Sequence, residues 1–300
     1  MPSILKLLKR PAKIVYILDK LQISQWIPDK AYLKLKYRAN FDRKLDLQNP
    51  KTFNEKLQWL KLYDRNPAYT ELVDKYAVKA YVANKIGEKY IIPTLGVWER
   101  VEDIDFDALP NQFVLKCTHD SGGLVICKDK TKLDVAEAKK KLSKALRTDF
   151  YACGREWPYK NVPRKIIAEQ YMEDSSAKEL VDYKVHNFNG EPKFVLVCAN
   201  RFGKSKTIED YFTEKWERMD VKWPDYPTSD NSEQPKEIPE ILELSKKLSE
   251  GLPFVRSDFY IVDGKIYFGE LTFFPANGFL PFTPDAWDYT FGSWIELPEK

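Results

Sequence analysis

Hydrophobic residues recur at helical spacing through about the first 90 residues of the chain. In NPKTFNEKLQWLKLYD, Leu57 and Leu60 fall on one helical face, and Thr52 followed by Glu55 forms a capping box that predicts where this helix begins. The stretch AYTELVDKYAVKAYVANKIG has the same spacing and predicts one further helix that ends at Gly87. The N-terminal third is therefore predicted to be mainly helical.

After IIPTLGVW the pattern changes to short apolar runs with a period of two, which is typical of strands. FVLKC and LVICKD flank the loop THDSGG, RKIIAEQYM predicts a strand, and DYKVHNFNGEPKFVLVCAN predicts a hairpin that turns at Asn189-Gly190. Two amphipathic helices, DVAEAKKKLSKALRTDFY and IPEILELSKKLSEG, interrupt the strands. The chain is predicted to be an α+β protein with its strands in the C-terminal two thirds.

The stretch FVRSDFYIVDGKIYFGELTFFP predicts a last hairpin, with its turn at Asp263-Gly264. Near-symmetric pairing about this turn places Asp258 opposite Glu270. Two carboxylates on a half-buried sheet need a compensating cation to stay ionised. The alternative is that both side chains point to solvent or pair with Arg256. If the cation is a metal, replacing either carboxylate in the metal-free protein should relieve repulsion and leave thermal stability level or higher.

Composition narrows the class of protein. At 300 residues the chain can bury a large core and form more than one subdomain. Its 48 basic and 45 acidic residues give a formal net charge of +3, which does not indicate a nucleic-acid binder. Basic residues are concentrated in residues 1–44, where ILKLL and IVYIL add apolar character. This segment is either an ordinary solvated helical face or a peripheral contact with an anionic membrane surface.

The expected location is the cytoplasm, with the inner face of the membrane as the place of any peripheral contact. No apolar run approaches the roughly 20 residues that span a bilayer. Lys6, Lys9, Arg10 and Pro11 interrupt the apolar core that a signal peptide needs. The 4 cysteines lack Cys-x-x-Cys spacing and only 2 histidines are present, so a zinc site is not indicated and a reduced cytosolic protein is expected.

FVLKCTHDSGG combines a strand lysine, Lys116, with the loop formed by Ser121, Gly122 and Gly123. Glycines let backbone N–H groups approach phosphate oxygens closely, and a lysine ammonium supplies a compact counter-charge. The same Ser-Gly-Gly sequence is also typical of an ordinary hairpin turn. The residues therefore allow a phosphate-binding loop without requiring one.

Two further stretches allow a similar pair of interpretations. IIAEQYM is either a plain strand end or a strand that exposes backbone groups to the edge of a nucleobase. In DYKVHNFNG, Lys184 shares a strand face with Asp182 and His186. A phosphate contact or an Asp–Lys pair would explain Lys184 equally well.

The order of these features adds information that no single one carries. A helix with Asp74-Lys75 comes first, followed by Lys116 with its glycine loop, the Glu-Gln-Tyr-Met strand end, the Lys184 hairpin, Arg256-x-Asp258 and Glu270-x-Thr272. This succession resembles the ATP-grasp superfamily over roughly residues 70–280. REWPYKN and GELTFFPANGF are most similar to its TupA-like group, which is associated with teichuronopeptide, capsule and other surface-polysaccharide biosynthesis.

The resemblance implies an ATP-grasp fold, in which two α+β subdomains clasp ATP. It implies a mainly helical region at 1–95, a central lid subdomain with the glycine loop at 96–172, and a C-terminal subdomain with the Mg²⁺ and ATP site at 173–300. The N-terminal βαβ subdomain usual in the superfamily is replaced by helices here.

The resemblance also implies roles for individual residues. The implied nucleotide-binding residues are Lys75, Lys116, Ser121, Gly122, Gly123, Glu169, Gln170, Tyr171, Met172 and Lys184. Among these, Glu169 would accept from the adenine amino group, and the backbone after it would read the ring edge. Arg256 and Lys116 would act on the transferring phosphoryl group. Asp258 and Glu270 would hold Mg²⁺ with Thr272, which stands where the superfamily usually has Asn.

The implied activity is that of an ATP-dependent carboxylate–amine ligase. A carboxylate attacks the γ-phosphate of ATP to give an acyl phosphate, and an amine then displaces phosphate to form an amide. By family analogy the acid is a uronic acid of a glycan or lipid-linked intermediate, and the amine is an amino acid. Arg155, Trp157, Tyr159 and Asn277 are the expected substrate contacts. A glycosyltransferase, a phosphotransferase on the same nucleotide site and a non-catalytic nucleotide binder are the alternatives.

Overall fold

The computed structural model describes residues 11–21, 23–175, 180–201, 206–231 and 233–299. The α-helices are α1 (Ile14–Lys20), α2 (Asp29–Phe41), α3 (Phe53–Tyr63), α4 (Ala68–Val73), α5 (Val78–Ile86), α6 (Val135–Arg147), α7 (Phe150–Gly154), α8 (Ile238–Ser249) and α9 (Ala286–Trp294). The strands are β1 (Thr94–Trp98), β2 (Phe113–Cys117), β3 (Leu124–Cys127), β4 (Ile166–Gln170), β5 (Asp182–Phe188), β6 (Glu191–Ala199), β7 (Ile208–Thr213), β8 (Phe254–Val262) and β9 (Lys265–Thr272). Short 3-10 helices include Trp157–Asn161 and Pro275–Gly278.

The strands form two antiparallel sheets. The first has the order β1-β4-β2-β3, and the second has the order β7-β6-β5-β8-β9. α6 packs on β2 and β3 of the first sheet, and α8 packs on β5, β6 and β8 of the second. Helices and antiparallel sheets thus occur together, and the predicted α+β class is confirmed.

Two hydrophobic cores correspond to the two sheets. The first sheet and α6 share one core, with Phe113 and Leu142 fully buried. The second sheet, α8 and the N-terminal helices share the larger one, in which the rings of Phe53 and Phe254 lie 4.9 Å apart. The N-terminal helices therefore support the second sheet directly. The proposed region boundaries at 95 and 172 stay predictions.

Local sequence signals account for several element ends. The side chain of Thr52 accepts from the backbone N–H of Glu55, and the Glu55 carboxylate accepts from the Thr52 N–H, which confirms the capping box at the start of α3. Asn189-Gly190 and Asp263-Gly264 turn their hairpins with φ values of 49° and 81°, and of 48° and 71°. Positive φ at both central residues is typical of type I′ hairpin turns, so both predicted turns are confirmed.

The single helix predicted before Gly87 is wrong, because the chain forms α4 and α5 with a break at Asp74-Lys75. The Asp74 carboxylate accepts from the backbone N–H groups of Tyr76 and Ala77 at 2.8 and 3.1 Å, which starts a new helix. The backbone N–H of Lys75 donates to the carbonyl of Thr118 at 3.2 Å. The break therefore ties Lys75 to the loop after β2.

The N-terminal stretch ILKLL and the basic residues Lys6, Lys9 and Arg10 lie outside the described residues. Among the residues that the structure does describe, every helix is too short or too polar to cross a bilayer.

Candidate functional site

A cavity of about 250 Å³ opens between the two sheets. Its lining residues are Lys75, Ile92, Val114, Lys116, Cys117, Asp120, Ser121, Gly123, Leu124, Ile126, Lys128, Glu169, Gln170, Tyr171, Met172, Glu173, Asp174, Leu180, Asp182, Arg201, Asp258, Tyr260, Gly269 and Glu270. One part is apolar, and the loop after β2 and the carboxylates of β8 and β9 make the rest polar. Most residues predicted to bind a nucleotide or a metal thus converge here. Gly122, Lys184, Arg256 and Thr272 are described but do not line it.

The loop between β2 and β3 has a specific need for glycine at position 123. A Cβ atom there would lie 2.6 Å from the Cβ of Ala145 and 2.9 Å from the Sγ of Cys117. The N–H of Gly123 donates to the Asp120 carboxylate at 2.9 Å. Gly122 has no such crowding, since the nearest atom to a Cβ there lies 4.0 Å away. Gly123 therefore lets the loop pack against α6, which places Ser121 at the cavity.

The two lysines predicted to contact phosphate, Lys75 and Lys116, are each bound by a group of the protein. The ammonium of Lys75 donates to the carbonyl of Asp120 in the loop. Lys116 on β2 and Lys79 on α5 each form a 2.6 Å ion pair with Glu169, which is buried on β4. Against the effect of burial, the two lysines lower the pKa of Glu169 below its ordinary value. Glu169 therefore stays ionised and positions Lys116 at the cavity.

The chain that follows β4 passes along the apolar part of the cavity. Gln170 donates its N–H to the carbonyl of Pro93 at 3.0 Å, but no backbone hydrogen bond of Tyr171 or Met172 forms within the described residues. In the part of the chain that the structure describes, their peptide groups are therefore open to the edge of a ligand. Ile92 and Leu180 supply flat apolar surface nearby. This arrangement suits a planar heteroaromatic ring.

A row of alternating charges crosses the second sheet at the other end of the cavity. The predicted register is confirmed, since Asp258 lies opposite Glu270. Arg256 forms a bidentate pair with Asp258 at 2.6 and 2.7 Å and lies 3.3 Å from Glu270. Lys184 contacts Asp258 and lies 3.3 Å from Asp182. Asp258 and Glu270 thus lie opposite each other on the two strands, and both also pair with Arg256.

These contacts fix the protonation states of the row. Burial alone would raise the pKa of Asp258, but Arg256 and Lys184 lower it well below its ordinary value. Burial would lower the pKa of Lys184, but Asp258 raises it. Asp258 and Lys184 are therefore both charged at neutral pH. The cations that compensate the carboxylates in this structure belong to the protein.

The carboxylate pair fits Mg²⁺ under one condition. Hard oxygen donors are what Mg²⁺ prefers, and it normally keeps water and substrate phosphate as further ligands. In the described part of the chain no group of three or more His, Cys, Asp or Glu side chains is arranged to hold a metal ion. Asp258 and Glu270 therefore fit Mg²⁺ when ATP phosphates complete its coordination. The Thr272 hydroxyl accepts from Arg256 at 3.1 Å and lies 3.4 Å from Glu270, so it contacts both side chains next to the pair. Its part in holding the metal stays a prediction.

Two of the expected substrate contacts lie elsewhere. Arg155 is 2 % exposed, and its guanidinium pairs with Asp29 at 3.2 Å and donates to the carbonyl of Ser24 at 2.6 Å. Trp157 is buried, and its indole N–H donates to the carbonyl of Asp64 at 3.0 Å. Both side chains are already used to attach the N-terminal helices, which argues against direct contact with substrate.

The other two expected contacts lie beyond the row of charges. The ring of Tyr159 packs on Phe150 with centroids 4.7 Å apart, and its hydroxyl is close enough to Asp258 and Glu270 to feel their charges. The backbone carbonyl of Asn277 accepts from Lys61 at 2.7 Å. Tyr159 thus lies next to the site, whereas the backbone of Asn277 is bound by Lys61 on α3.

Sequence reasoning missed several residues of the site. Glu173, Asp174 and Arg201 line the cavity, and Lys79 completes the contacts of Glu169. Two carboxylates that follow the end of β4 by three and four residues are a signal that the sequence offers. Arg201 follows the end of β6 and pairs with Asp182 at 2.8 Å, whereas the strand partner of Asp182 is Cys198, so strand register alone does not indicate this ion pair.

Residues 55–296 match the family described as TupA-like ATPgrasp. This match covers most of the chain and confirms both the resemblance and the ATP-grasp fold expected from the motifs. The predicted enzyme class, an ATP-dependent carboxylate–amine ligase, is compatible with membership of this family. No protein of curated function matches the chain.

Several solved structures are similar to the chain at low identity. The D-alanine–D-alanine ligase from Bacillus anthracis in complex with ATP is 19% identical, with 67% of this chain and 53% of that chain covered and a TM-score of 0.38. The D-alanine–D-alanine ligase from Helicobacter pylori is 15% identical, with 82% of this chain and 70% of that chain covered and a TM-score of 0.41. The ATP-grasp ligase PsnB in complex with a phosphomimetic precursor variant, Mg and ADP is 14% identical, with 85% of this chain and 65% of that chain covered and a TM-score of 0.42. The chain spans about half the length of the Bacillus anthracis ligase.

Proposed function

The chain belongs to the TupA-like ATP-grasp family, and from this premise we propose that it uses ATP to join a carboxylate to an amine. The observation that carries the proposal is the continuity of one cavity, which runs from the apolar surface beside Tyr171 and Met172 to Asp258 and Glu270. A nucleotide bound along it would have its base at one end and its γ-phosphate at the other.

The proposed roles follow from position and charge. Lys75 and Lys116 lie beside the loop at Ser121 and would neutralise phosphate oxygens. Asp258 and Glu270 would hold Mg²⁺, which offsets phosphate charge when bound. Arg256 lies next to this pair and would orient the attacking carboxylate and stabilise the transferring phosphoryl group. Lys184 would keep Asp258 ionised.

Two steps give the amide. A carboxylate oxygen attacks the γ-phosphorus, the bond to the β–γ bridging oxygen breaks, and ADP leaves an acyl phosphate behind. An amine then attacks the acyl carbon and phosphate departs. Both steps depend on positioning and charge neutralisation more than on a protein nucleophile, which suits a site built of lysine, arginine and carboxylate groups.

We propose a uronic-acid carboxylate of a surface-polysaccharide intermediate as the acid and an amino acid as the amine. The resemblance of REWPYKN and GELTFFPANGF to the TupA-like group supports the class of pathway. The cationic guanidinium of Arg256 suits a small anionic acid. The test is ADP release over a matrix of uronic acids and amino acids, with product mass measured. Release that needs one acid and one amine together supports the proposal, and release that needs neither contradicts it.

We also propose a peripheral contact with an anionic membrane from the cytoplasmic side. Leu21 and Trp26 are 60% and 81% exposed, Ile14 and Ile23 are exposed near them, and lysines such as Lys20 flank the patch. Apolar wedges flanked by lysines suit an anionic lipid surface. Replacing Leu21 and Trp26 together by Ser should lower binding to phosphatidylserine vesicles, whereas Tyr289→Ser, at a side chain 47% exposed, should not. Equal binding of both variants would contradict the contact.

A glycosyltransferase is the less favoured alternative. Metal-dependent glycosyltransferases commonly use an Asp-x-Asp sequence, and two overlapping ones occur, at Asp103 to Asp105 and at Asp105 to Asp107. The Asp105 carboxylate, however, accepts from the backbone N–H groups of Asp107 and Ala108 at 3.0 and 3.2 Å, and this turn does not line the cavity. A phosphotransferase remains distinguishable by its product, since it would release ADP without an amine.

A further inference from the structure

Helix α6 presents a row of cations on the side that faces away from the first sheet. Lys141, Lys144 and Arg147 recur at intervals of three residues, and all three side chains are exposed. At the rise of an α-helix they lie within about 9 Å of one another along the helix axis. Glu137, earlier on the same side, pairs with Lys140 at 3.5 Å. The row thus begins where the last carboxylate of the helix is already used.

The three cations of this row have no anionic partner. No ion pair reaches any of them from the part of the chain that the structure describes. Exposed lysines on other helices do have such partners, since Lys85 pairs with Glu250 at 2.9 Å and Lys246 pairs with Glu191 at 2.7 Å. The row therefore keeps its positive charge open to solvent.

A second segment brings a further cation to the end of this row. The guanidinium of Arg164, two residues before β4, donates to the carbonyl of Leu146 at 3.1 Å. This bond holds Arg164, which is exposed, at the C-terminal end of α6 beside Arg147. We call Lys141, Lys144, Arg147 and Arg164 the α6 patch.

The α6 patch borders the loop between β2 and β3. Ala145 of α6 packs against Gly123, where a Cβ atom would lie 2.6 Å from the Cβ of Ala145. At the start of the loop, the hydroxyl of Thr118 donates to the carbonyl of Pro163 at 2.8 Å, and its N–H donates to the carbonyl of Lys165 at 2.9 Å. The residues that the loop contacts are thus direct sequence neighbours of the patch. On the proposed function, the phosphates and the acid that attacks them lie at this loop.

The surroundings of the patch indicate what kind of anion it suits. In residues 136–165, all of which the structure describes, no large apolar or aromatic side chain is exposed. Helices that lie on membrane surfaces insert apolar side chains, and single-stranded nucleic acids stack on aromatic ones. A surface of lysine and arginine without such side chains suits a hydrophilic polyanion instead.

We propose that the α6 patch binds a polyuronate, a glycan chain that carries carboxylates on successive sugars. This inference rests on the proposed ligase function and names its acid substrate as an acidic oligosaccharide or polymer instead of a free sugar acid. Single ion pairs at a protein surface are weak. Several of them on one chain act together, so the patch would favour a long acid over a single sugar.

The first experiment measures binding of an oligogalacturonate with a fluorescent label at its reducing end. This probe is sufficient because the patch is argued to recognise charge. Fluorescence anisotropy compares the wild type with a variant that combines Lys141→Gln, Lys144→Gln and Arg147→Gln. All three positions are exposed, so the fold should be kept. The variant should bind about 3- to 100-fold more weakly, as for three surface ion pairs, and a neutral dextran oligosaccharide should bind to neither protein.

A matched variant removes the same charge elsewhere. It combines three substitutions at exposed positions on or beside the second sheet, Lys215→Gln, Lys222→Gln and Lys247→Gln. This variant should bind the oligogalacturonate as the wild type does. An equal loss in the two variants, or no binding by the wild type, would overturn the proposal.

Two other anions test the choice of partner. Phosphatidylserine vesicles and a single-stranded DNA of equal charge are added to the wild type and to the α6 variant. Vesicle binding should be the same in both proteins, and DNA should bind the wild type more weakly than the oligogalacturonate does. Loss of vesicle binding in the α6 variant, or tighter binding of DNA, would assign the patch to a different partner and overturn the proposal.

Kinetics separate this inference from the proposed function. KM is measured for the uronic acid identified by ADP release and for an oligosaccharide that ends in it. In the α6 variant the KM for the oligosaccharide should rise about 3- to 100-fold, while kcat and the KM values for ATP and for the free acid stay unchanged. An unchanged KM for the oligosaccharide would overturn the proposal. If no acid supports ADP release, the ligase function fails, and the binding of oligogalacturonate alone then decides whether the patch takes a polyuronate.

Discussion

The ammonium group of Lys61 lies 2.7 Å from the carbonyl oxygen of Asn277 and donates a hydrogen bond to it. The same ammonium donates to the carbonyl of Gly154 at 2.8 Å. One fully buried side chain of α3 thus contacts both GELTFFPANGF, through Asn277, and the residue just before REWPYKN, Gly154. These two residues also lie close together, since a Cβ atom at Gly154 would lie 1.7 Å from the Oδ1 atom of Asn277.

Lys61→Met should lower the free energy of unfolding by about 2–6 kcal/mol, because two buried carbonyls lose their donor at about 1–3 kcal/mol each. Urea denaturation at pH 7 measures this. Lys56→Met is the matched control on the same helix, since Lys56 makes a single 2.7 Å bond to the carbonyl of Ile295. It should lower stability by about 1 kcal/mol. Equal losses in the two variants would contradict the role given to Lys61.

Glu156 should make the stability of the empty protein depend on pH. Burial raises its pKa from the ordinary 4.5 to about 7. The folded state then holds more protons than the unfolded state between these values, so the contribution of Glu156 to stability falls as pH rises through this window. Glu156→Gln should remove the fall and make the protein more stable than the wild type at pH 8, by up to about 3 kcal/mol.

Lys61 acts in the opposite sense at higher pH. Burial lowers its pKa from 10.5 to about 7, so its contribution to stability rises as pH increases through that range. Urea denaturation of the wild type and Glu156→Gln at pH 5 and pH 8 separates the two groups. Glu214→Gln, at an exposed position, is the control. A difference between wild type and Glu156→Gln that is the same at both pH values would rule out this titration.

Asp258→Asn should destabilise the metal-free protein by about 3–5 kcal/mol, because Arg256 and Lys184 would lose the carboxylate that pairs with them. This prediction is the opposite of the expectation from sequence that removing a carboxylate relieves repulsion. Glu270→Gln should change stability by less than about 1 kcal/mol, since the side chain of Glu270 is 40% exposed. Both variants should lower ADP release at least about 100-fold. Thermal melts without Mg²⁺ that show a level or raised Tm for Asp258→Asn would restore the earlier expectation.

The hairpin that carries Asp258 and Glu270 was predictable because its signals are local. Strand alternation and the Asp263-Gly264 turn determine the register without help from the rest of the chain. The break before α5 was not predictable in this way. Helical periodicity continues through Asp74, and the backbone contact of Lys75 with Thr118 joins residues far apart in sequence.

The predicted substrate contacts were also decided by residues far away in the sequence. Arg155 and Trp157 have the chemistry of a sugar-acid site, but Ser24, Asp29 and Asp64 occupy their polar groups. Those partners belong to the N-terminal helical region. Neither periodicity nor motif spacing indicates that this region packs against the segment of Arg155 and Trp157. Glu156 stands between the two in sequence, and a lone carboxylate in a motif gives no sign that it will be buried.

Lys116→Ala should weaken binding of ATP by about 1.5–3 kcal/mol, the range for a hydrogen bond to a charged group. Lys79→Ala is the matched control, because Lys79 forms the same 2.6 Å ion pair with Glu169 but does not line the cavity. Calorimetry with a non-hydrolysable ATP analogue should show a smaller loss for Lys79→Ala. Equal losses would indicate that Lys116 acts through Glu169 alone, and unchanged affinity would remove Lys116 from the site.

Formation of an acyl phosphate is the central claim, and transfer of oxygen from the acid to phosphate tests it most directly. The acid identified in the ADP-release matrix is labelled with ¹⁸O in its carboxylate and incubated with ATP, Mg²⁺, its amine and the protein. Mass spectrometry of the released phosphate should show one ¹⁸O atom per phosphate, because the carboxylate oxygen that attacks the γ-phosphorus leaves with it. Unlabelled phosphate, or phosphate retained on the acid as a stable ester, would contradict the account.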